Sequence, residues 1–129
     1  MKTKFIQYFC IFLLHSCVFI RIDDSINLGD KFRFIQDYPQ TIIYHESEKY
    51  EGIGINAVAP IVNAYNFDDQ YIIARSSDMQ KFDPEKYASD SLVLYWIIDK
   101  KEAIDSIKPM DSINFYRQLE IQHISLRFK

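Results

Sequence analysis

The sequence predicts an α+β fold, with an antiparallel-rich sheet of five or six strands, one main C-terminal helix, and an N-terminal signal or apolar helix in front. Three observations predict this class. Segments between residues 31 and 75 alternate apolar and polar side chains, as half-buried strands do. A continuous apolar run occupies residues 92–98, and beyond Pro109 the apolar positions recur at helical spacing. Because 48% of the 129 residues are hydrophobic and 26% are charged, one apolar core is expected.

The first segment has the composition of an export signal. Two lysines precede residues 5–14, in which only Gln7 is fully polar. A positive start followed by roughly 7–15 apolar residues is typical of a secretory signal peptide, whereas a membrane span needs about 20. The apolar stretch ends at Arg21 after several polar interruptions. Residues 1–16 are therefore predicted to be a signal peptide, residues 17–27 a tether, and residues 28–129 a single domain.

Leu14-His15-Ser16-Cys17 resembles the bacterial lipobox, which has a leucine, a tolerant position, a small residue and a cysteine. The resemblance implies cleavage before Cys17, diacylglycerol on its sulfur, and a fatty acyl group such as palmitate on the new amino terminus. His15 departs from the small or aliphatic residue that the pattern prefers. Three other interpretations stay open: a plain signal peptide, an uncleaved anchor with Cys17 incidental, and a cytoplasmic apolar helix.

Cysteine count and charge exclude several function classes. Cys10 lies in the predicted signal peptide, so the mature chain would keep Cys17 alone, without an intramolecular disulfide or a cysteine metal site. Loss of the two leader lysines leaves 13 Lys and Arg against 18 Asp and Glu, a net charge of −5. This acidic balance, without a basic patch interleaved with aromatics, predicts no nucleic-acid binding.

The strands are expected in the following order. Residues 31–37 and 41–45 should form a hairpin around Tyr38-Pro39-Gln40, with Phe32 and Phe34 on one face. In residues 52–60 the glycines indicate a bulge or a close backbone approach. Residues 63–69 have the composition of a turn, and residues 71–75 are predicted to form a strand. Residues 76–91 are polar, and one short helical turn is expected near Asp83. The run at residues 92–98 predicts a central strand buried on both faces.

The last part of the chain predicts a helix and an edge strand. Asp111 or Ser112 can cap the helix, and Ile124, Leu126 and Phe128 alternate along the tail. The predicted helical stripe contains Met110, Ile113, Phe115, Tyr116 and Leu119.

Three segments resemble a domain-of-unknown-function family of small bacterial lipoproteins. They are YNFDDQYIIAR (65–75), YWIIDKK (95–101) and DSINFYRQLEI (111–121). The family shares a lipobox, a Tyr-Asn-x-Asp-Asp-x-Tyr-Ile-Ile-Ala motif and a Tyr-Trp-Ile-Ile-Asp-Lys strand before a C-terminal helix. The resemblance implies an exported, membrane-anchored protein. No activity is established for the family, so it implies no ligand or catalytic residue.

The candidate chemical motifs favour structural interpretations. Asp68 and Asp69 could offer oxygens to Ca²⁺ or Mg²⁺, but the spacing of a calcium loop is absent and turn chemistry is favoured. His45 precedes acidic residues, yet Lys49 stands where a zinc protease motif needs histidine, so a solvated loop is favoured; His123 is distant in sequence. Serine elbows and complete phosphate loops are missing. No catalytic residue, metal or cofactor is predicted, and an enzyme is disfavoured.

One possible ligand or partner patch remains. A lone tryptophan beside a tyrosine can anchor a partner, although a core position is the favoured interpretation for Trp96. Asp99, Lys100 and Lys101 are expected to form the solvated turn that closes this strand. The patch is predicted to contain Tyr65, Asp68, Asp69, Tyr95 and Trp96.

These observations predict a membrane-anchored lipoprotein of the bacterial envelope, in an unspecified leaflet, that acts as a binding module. Its membrane contact would be the lipid on Cys17, and its partner an envelope protein or a basic toxin or lysozyme. An acidic surface suits a basic partner because charge complementarity accelerates encounter. An envelope inhibitor or immunity-like protein is the sharper form of this expectation. The alternative from another class is a weak hydrolase that uses Asp68, Asp69 and a histidine.

Overall fold

A computed structural model describes residues 24–77 and 92–129, and within them the chain forms two antiparallel sheets and one α-helix. β1 to β4 form the first sheet in that order, and β5 to β7 form the second. The strands are β1 Ser25–Gly29, β2 Phe32–Ile35, β3 Thr41–Tyr44, β4 Ile55–Val58, β5 Val62–Phe67, β6 Tyr71–Ser77 and β7 Val93–Asp99; a 3-10 turn Ile104–Ser106 and helix α1 Ser112–Ile121 follow.

The antiparallel strands and the C-terminal helix confirm the prediction of an antiparallel-rich fold with one main C-terminal helix. The expectation of one sheet with five or six strands is wrong. The predicted N-terminal helix and the short turn near Asp83 lie outside the described residues. β1 begins at Ser25, so it takes up the last residues of the stretch that the sequence assigned to a tether. The β2–β3 hairpin is confirmed, with Phe32 paired to Tyr44 and Ile35 to Thr41.

The second sheet is the middle layer of three. One face carries Ile72, Ala74, Trp96 and Ile98, which pack against the first sheet. The other face carries Ile73, which packs against α1 and the residues that follow it. Successive side chains of a strand point to opposite faces, so β6 supplies alternate residues to both cores. The first core also contains Leu28, Phe32, Ile42, Ala57, Val58 and Val62.

The helix contacts the middle sheet through a narrow stripe. Phe115 and Leu119 are buried, one helical turn apart, whereas Ile113 and Tyr116 are exposed, so the three-residue spacing predicted too wide a buried face. The backbone amide of Asn114 donates to Oδ1 of Asp111 over 2.7 Å, which confirms an N-cap at Asp111. This bond satisfies one of the amides that the first helical turn leaves without an intrahelical partner.

Residues 63–67 belong to β5, so the prediction of a turn there is wrong, and only residues 68–70 turn. Pairing with β6 outweighs the turn preference of Asn63 and Asn66. The side chains of both residues form hydrogen bonds with groups outside β5. Asn63 Oδ1 accepts from Arg75 Nε over 2.8 Å, and Asn66 Nδ2 donates to the carbonyl of Arg127 over 2.8 Å. These bonds give both side chains a partner outside β5, and Asn66 also keeps one local bond, in which its Oδ1 accepts from the backbone amide of Phe67 over 2.9 Å.

β7 lies at the edge of its sheet, and β6 is central, so the prediction of a central strand at residues 92–98 is wrong. Residues 92–98 are apolar because other layers of the protein pack on both faces of β7, not because strands flank β7 on both sides. Tyr95 exchanges two backbone hydrogen bonds of 2.9 Å with Met110, which covers part of the free edge. The tail after α1 forms no strand, so the predicted edge strand is wrong; Ile124, Leu126 and Phe128 still pack on one side, against the helical core.

Gly54 confirms the close backbone approach expected from the glycines. A Cβ atom there would lie 2.9 Å from the carbonyl oxygen of Tyr44, a distance that side chains do not tolerate. The β3–β4 register also shifts between Ile42 and Ile43, as expected of a bulge. β4 starts only at Ile55, which leaves Ile53 78% exposed.

The strands define two opposite ends of the double sheet. A 2.9 Å bond from the amide of Val62 to the carbonyl of Gln40 aligns the sheets at one end. We call this the Ser25 end; it contains residues 24–25, 35–41, 58–63, 76–77 and 92–94. The opposite Lys100 end contains residues 29–32, 44–55, 67–71 and 99–103.

Candidate binding surface at the Lys100 end

The structure does not place the five residues of the predicted patch on one surface. Tyr65 and Trp96 face the first sheet, and Tyr95 faces the helix from the opposite side of the middle sheet. Asp68 and Asp69 are exposed in the turn between β5 and β6, at the Lys100 end. Neighbouring residues in a strand point to opposite faces, so the Tyr95-Trp96 pair could not form a single surface.

Trp96 is a core residue, as the favoured interpretation predicted. Its side chain is only 7% exposed, and its indole Nε1 donates to the hydroxyl of Ser76 over 2.8 Å. Ser76 is itself 1% exposed, so the two polar groups satisfy each other inside the apolar layer between the sheets.

Tyr65 is half-buried and stacks on Phe34, with ring centroids 4.3 Å apart. Burial raises the pKa of the Tyr65 phenol above its usual value. The folded state therefore holds this proton more tightly than the unfolded state does. The resulting stability is complete below the ordinary tyrosine pKa of about 10, and it is lost as pH rises through the higher folded-state pKa.

We therefore expect Tyr65→Phe to reduce the alkaline loss of stability. Urea unfolding at stepped pH above about 10 should show a shallower decline for this variant than for the parent chain. Tyr38→Phe is the matched control, because Tyr38 is 70% exposed and should leave the decline unchanged. Identical slopes for the parent chain and Tyr65→Phe would contradict the prediction.

Asp68 organises the turn at the Lys100 end. Its Oδ1 accepts hydrogen bonds from the backbone amides of Gln70, over 2.9 Å, and Tyr71, over 2.7 Å. This geometry confirms the turn interpretation of the Asp68-Asp69 pair. One carboxylate thus starts β6, while Asp69 is exposed to solvent.

Lys100 lies where the turns of the two sheets meet. Its Nζ donates to the carbonyl of Asp68 over 2.5 Å and stands 5.5 Å from the ring centroid of Phe67. A Cβ atom on Gly29, whose φ is +89°, would lie 2.8 Å from the same Nζ. The sequence indicated only a solvated turn for Asp99-Lys100-Lys101, whereas Lys100 packs against both hairpin turns. Its partners lie far from it in sequence, so local pattern could not reveal them.

Two grooves open beside Lys100. The first, of about 410 Å³, lies between residues 30–32, Tyr44 and residues 100–104. The second, of about 340 Å³, lies between residues 68–71 and residues 123–125. His123 therefore shares a groove with Asp68 and Asp69, and its separation from them in sequence was misleading. The cause is its φ of 55°, which reverses the chain after α1 towards the β5–β6 turn.

His45 differs from its prediction as well. The ring is 7% exposed, and its Nδ1 lies 2.8 Å from the carbonyl oxygen of Ser47. It also packs near Tyr50, with ring centroids 5.3 Å apart. The expectation of a solvated histidine is wrong because the acidic loop folds back over the ring.

Within residues 24–77 and 92–129, no three His, Cys, Asp or Glu side chains are grouped so that they could hold a metal ion. In the same two ranges, no helix has the length and apolar character required to cross a membrane.

The Lys100 end is much more highly charged than the Ser25 end. Twelve of its 26 residues are charged, eight acidic and four basic, which gives a net charge of −4. Only two of the 20 residues at the Ser25 end are charged, Asp24 and Asp37. A surface of this kind, with two grooves, is suited to charge-complementary binding.

Comparisons with known proteins place the domain in a family. Searches of the curated proteins and of the solved structures gave no match. A family model described as "Protein of unknown function (DUF3997)" matches residues 30–129. The match covers both sheets from β2 onward and α1, and the chain belongs to this family.

Proposed function

We propose that this chain is a membrane-anchored lipoprotein of the bacterial envelope whose domain binds a partner through the Lys100 end. The observation that carries the proposal is the position of Leu14-His15-Ser16-Cys17, whose cysteine stands eight residues before the first residue of β1. The family match begins at residue 30, so the match itself does not include this leader segment. An export signal joined by a short tether to a folded domain accounts for both facts.

The charge at the Lys100 end supports a basic partner. The net charge of −4 on this surface accounts for most of the −5 of the predicted mature chain. Opposite charge accelerates encounter and suppresses wrong partners, and salt weakens it. A cationic envelope protein, toxin or lysozyme fits this surface. An inhibitor or immunity-like role is the sharpest form of the proposal.

Replacing Cys17 with serine tests the anchor. We expect the parent protein to partition into detergent and the Cys17→Ser protein to lose lipid, because three acyl chains anchor firmly where one is marginal. Mass spectrometry of the amino-terminal peptide should show cleavage before residue 17 and acylation only in the parent. Cys10→Ser is the matched control, since this cysteine lies within the predicted signal peptide. An unmodified Cys17 with residues 1–16 retained would refute the anchor.

Charge reversal at the Lys100 end tests the binding role. Chemical crosslinking in cells, followed by purification of the lipoprotein, should recover the same partner from the parent and from Asp37→Lys, at the Ser25 end. Asp69→Lys combined with Glu102→Lys should reduce that recovery and weaken its dependence on salt. Both replaced residues are exposed, so the fold should survive. Equal recovery from all three proteins would count against the Lys100 end as the binding surface.

A second candidate function is weak hydrolysis in the 340 Å³ groove, favoured by the meeting of His123 with Asp68 and Asp69. Asp68 is already engaged in the turn, since its Oδ1 accepts two backbone hydrogen bonds. Asp69→Asn and His123→Asn are the informative changes, because asparagine tolerates the left-handed backbone at position 123. Both should abolish turnover by an enzyme, and His123→Asn should leave the partners of a binding protein unchanged.

A further inference from the structure

The chain attaches to its predicted anchor at the Ser25 end, and this attachment is fixed. Ser25 pairs with Ile35 at the start of β1. Arg33 holds that first residue, with Nε 2.7 Å from the Ser25 hydroxyl and Nη2 3.3 Å from the Ser25 carbonyl. Any tether that reaches back to Cys17 must therefore leave the domain at this end.

The tether, even at full extension, does not exceed the diameter of the domain. Residues 17–24 number eight, which span at most about 29 Å at full extension. A domain of about 100 residues has a radius of gyration near 13 Å, and so a diameter of about 33 Å. A lipid on Cys17 would thus keep the Ser25 end close to the bilayer and the Lys100 end away from it.

Exposed side chains at the Ser25 end are compatible with a membrane surface. Among its described residues only Asp24 and Asp37 are charged. Tyr38 is 70% exposed and Leu92 43% exposed. Tyrosine is enriched at membrane interfaces because its ring is apolar and its hydroxyl stays hydrated. Ile53 is 78% exposed at the Lys100 end, but that surface includes twelve charged residues.

We infer that the Ser25 end rests on the lipid bilayer, with Tyr38 at the level of the headgroups. This inference depends on the proposed lipid anchor at Cys17 and adds an orientation to it. The anchor and the Ser25 end would then form one continuous membrane contact. The acidic Lys100 end, with its two grooves, faces the aqueous phase and is open to a partner.

The test measures lipid contact at one position on each end. Mature lipidated protein carrying Tyr38→Cys is labelled with a fluorophore on its thiol and reconstituted into phosphatidylcholine vesicles that contain headgroup nitroxide lipid. The introduced thiol is unique, because Cys10 is removed with the leader and the Cys17 sulfur carries lipid. Ile53→Cys is the matched control, since Ile53 is 78% exposed. We expect quenching on the order of twofold at position 38 and little at position 53, as interfacial groups lie within about 5–10 Å of the headgroups.

Each contrary result has a distinct meaning. If the lipidated protein floats with the vesicles but position 38 is not quenched, or both positions are quenched equally, the orientation is wrong while the anchor stands. If position 38 is shielded from a water-soluble maleimide in cells but not quenched in vesicles, a protein covers this end, and the inference also fails. If flotation is absent and Cys17 is unmodified, the proposed function fails and this inference with it.

Discussion

Phe115→Ala is expected to lower the free energy of unfolding by about 3–5 kcal/mol, the cost of deleting a fully buried phenylalanine. Phe115 is 0% exposed and joins α1 to the middle sheet. Its ring stacks on Phe128, with centroids 5.6 Å apart, and packs against Tyr95 with centroids 5.0 Å apart. Removal of the ring would leave a cavity bordered by the helix, the tail and β7, which can collapse only partly.

Chemical denaturation followed by the fluorescence of Trp96, the single tryptophan, can measure this loss. Ile113→Ala is the matched control, because Ile113 lies in the same helix but is 70% exposed. We expect the control to change the free energy of unfolding by no more than about 0.5 kcal/mol. A loss below about 1 kcal/mol for Phe115→Ala would show that the helix does not pack on the sheet as described.

Trp96→Ala is expected to cost a similar amount, about 3–5 kcal/mol, because it empties space between the two sheets. It also leaves the buried hydroxyl of Ser76 without its donor. An unsatisfied buried polar group adds roughly 1–3 kcal/mol. Far-UV circular dichroism during urea unfolding measures the loss, since the variant lacks the fluorescent probe.

A double-mutant cycle separates the hydrogen bond from the packing. Trp96→Phe alone should destabilise more in the parent than in a Ser76→Ala background, because the second protein has no hydroxyl to leave unpaired. Additive effects would mean that the indole and the hydroxyl do not interact. If Trp96→Ala abolished partner binding while leaving the unfolding transition unchanged, Trp96 would be a ligand contact rather than a core residue.

The sequence predicted most strands because their side chains alternate over short distances. The β2–β3 hairpin and the strand that contains Tyr71 follow from local pattern alone. The division into two sheets does not, since β4 and β5 are separated only by a short connection at Pro60. The apolar run that contains Trp96 was misplaced at the centre of a sheet, because layers above and below a strand produce the same hydrophobicity as neighbours beside it.

The candidate site was predictable only in part. The turn role of Asp68 follows from its place before a strand, and the hydrogen bonds to two amides confirm it. The meeting of that turn with His123 depends on where a positive φ directs the chain after α1. The contact between Lys100 and Asp68 joins residues 32 positions apart. Such contacts are set by topology, and periodicity within a segment contains no information about them.

The layered position of the middle sheet has a consequence for synthesis. The face that carries Ile73 is covered by α1 and the tail, which are made after every strand that the structure describes. A nascent chain in which only the strands have left the ribosome therefore exposes this apolar face to solvent. Exposed apolar surfaces of this kind bind chaperones and promote aggregation. Truncated products that stop before residue 110 should keep this surface permanently and accumulate as insoluble material.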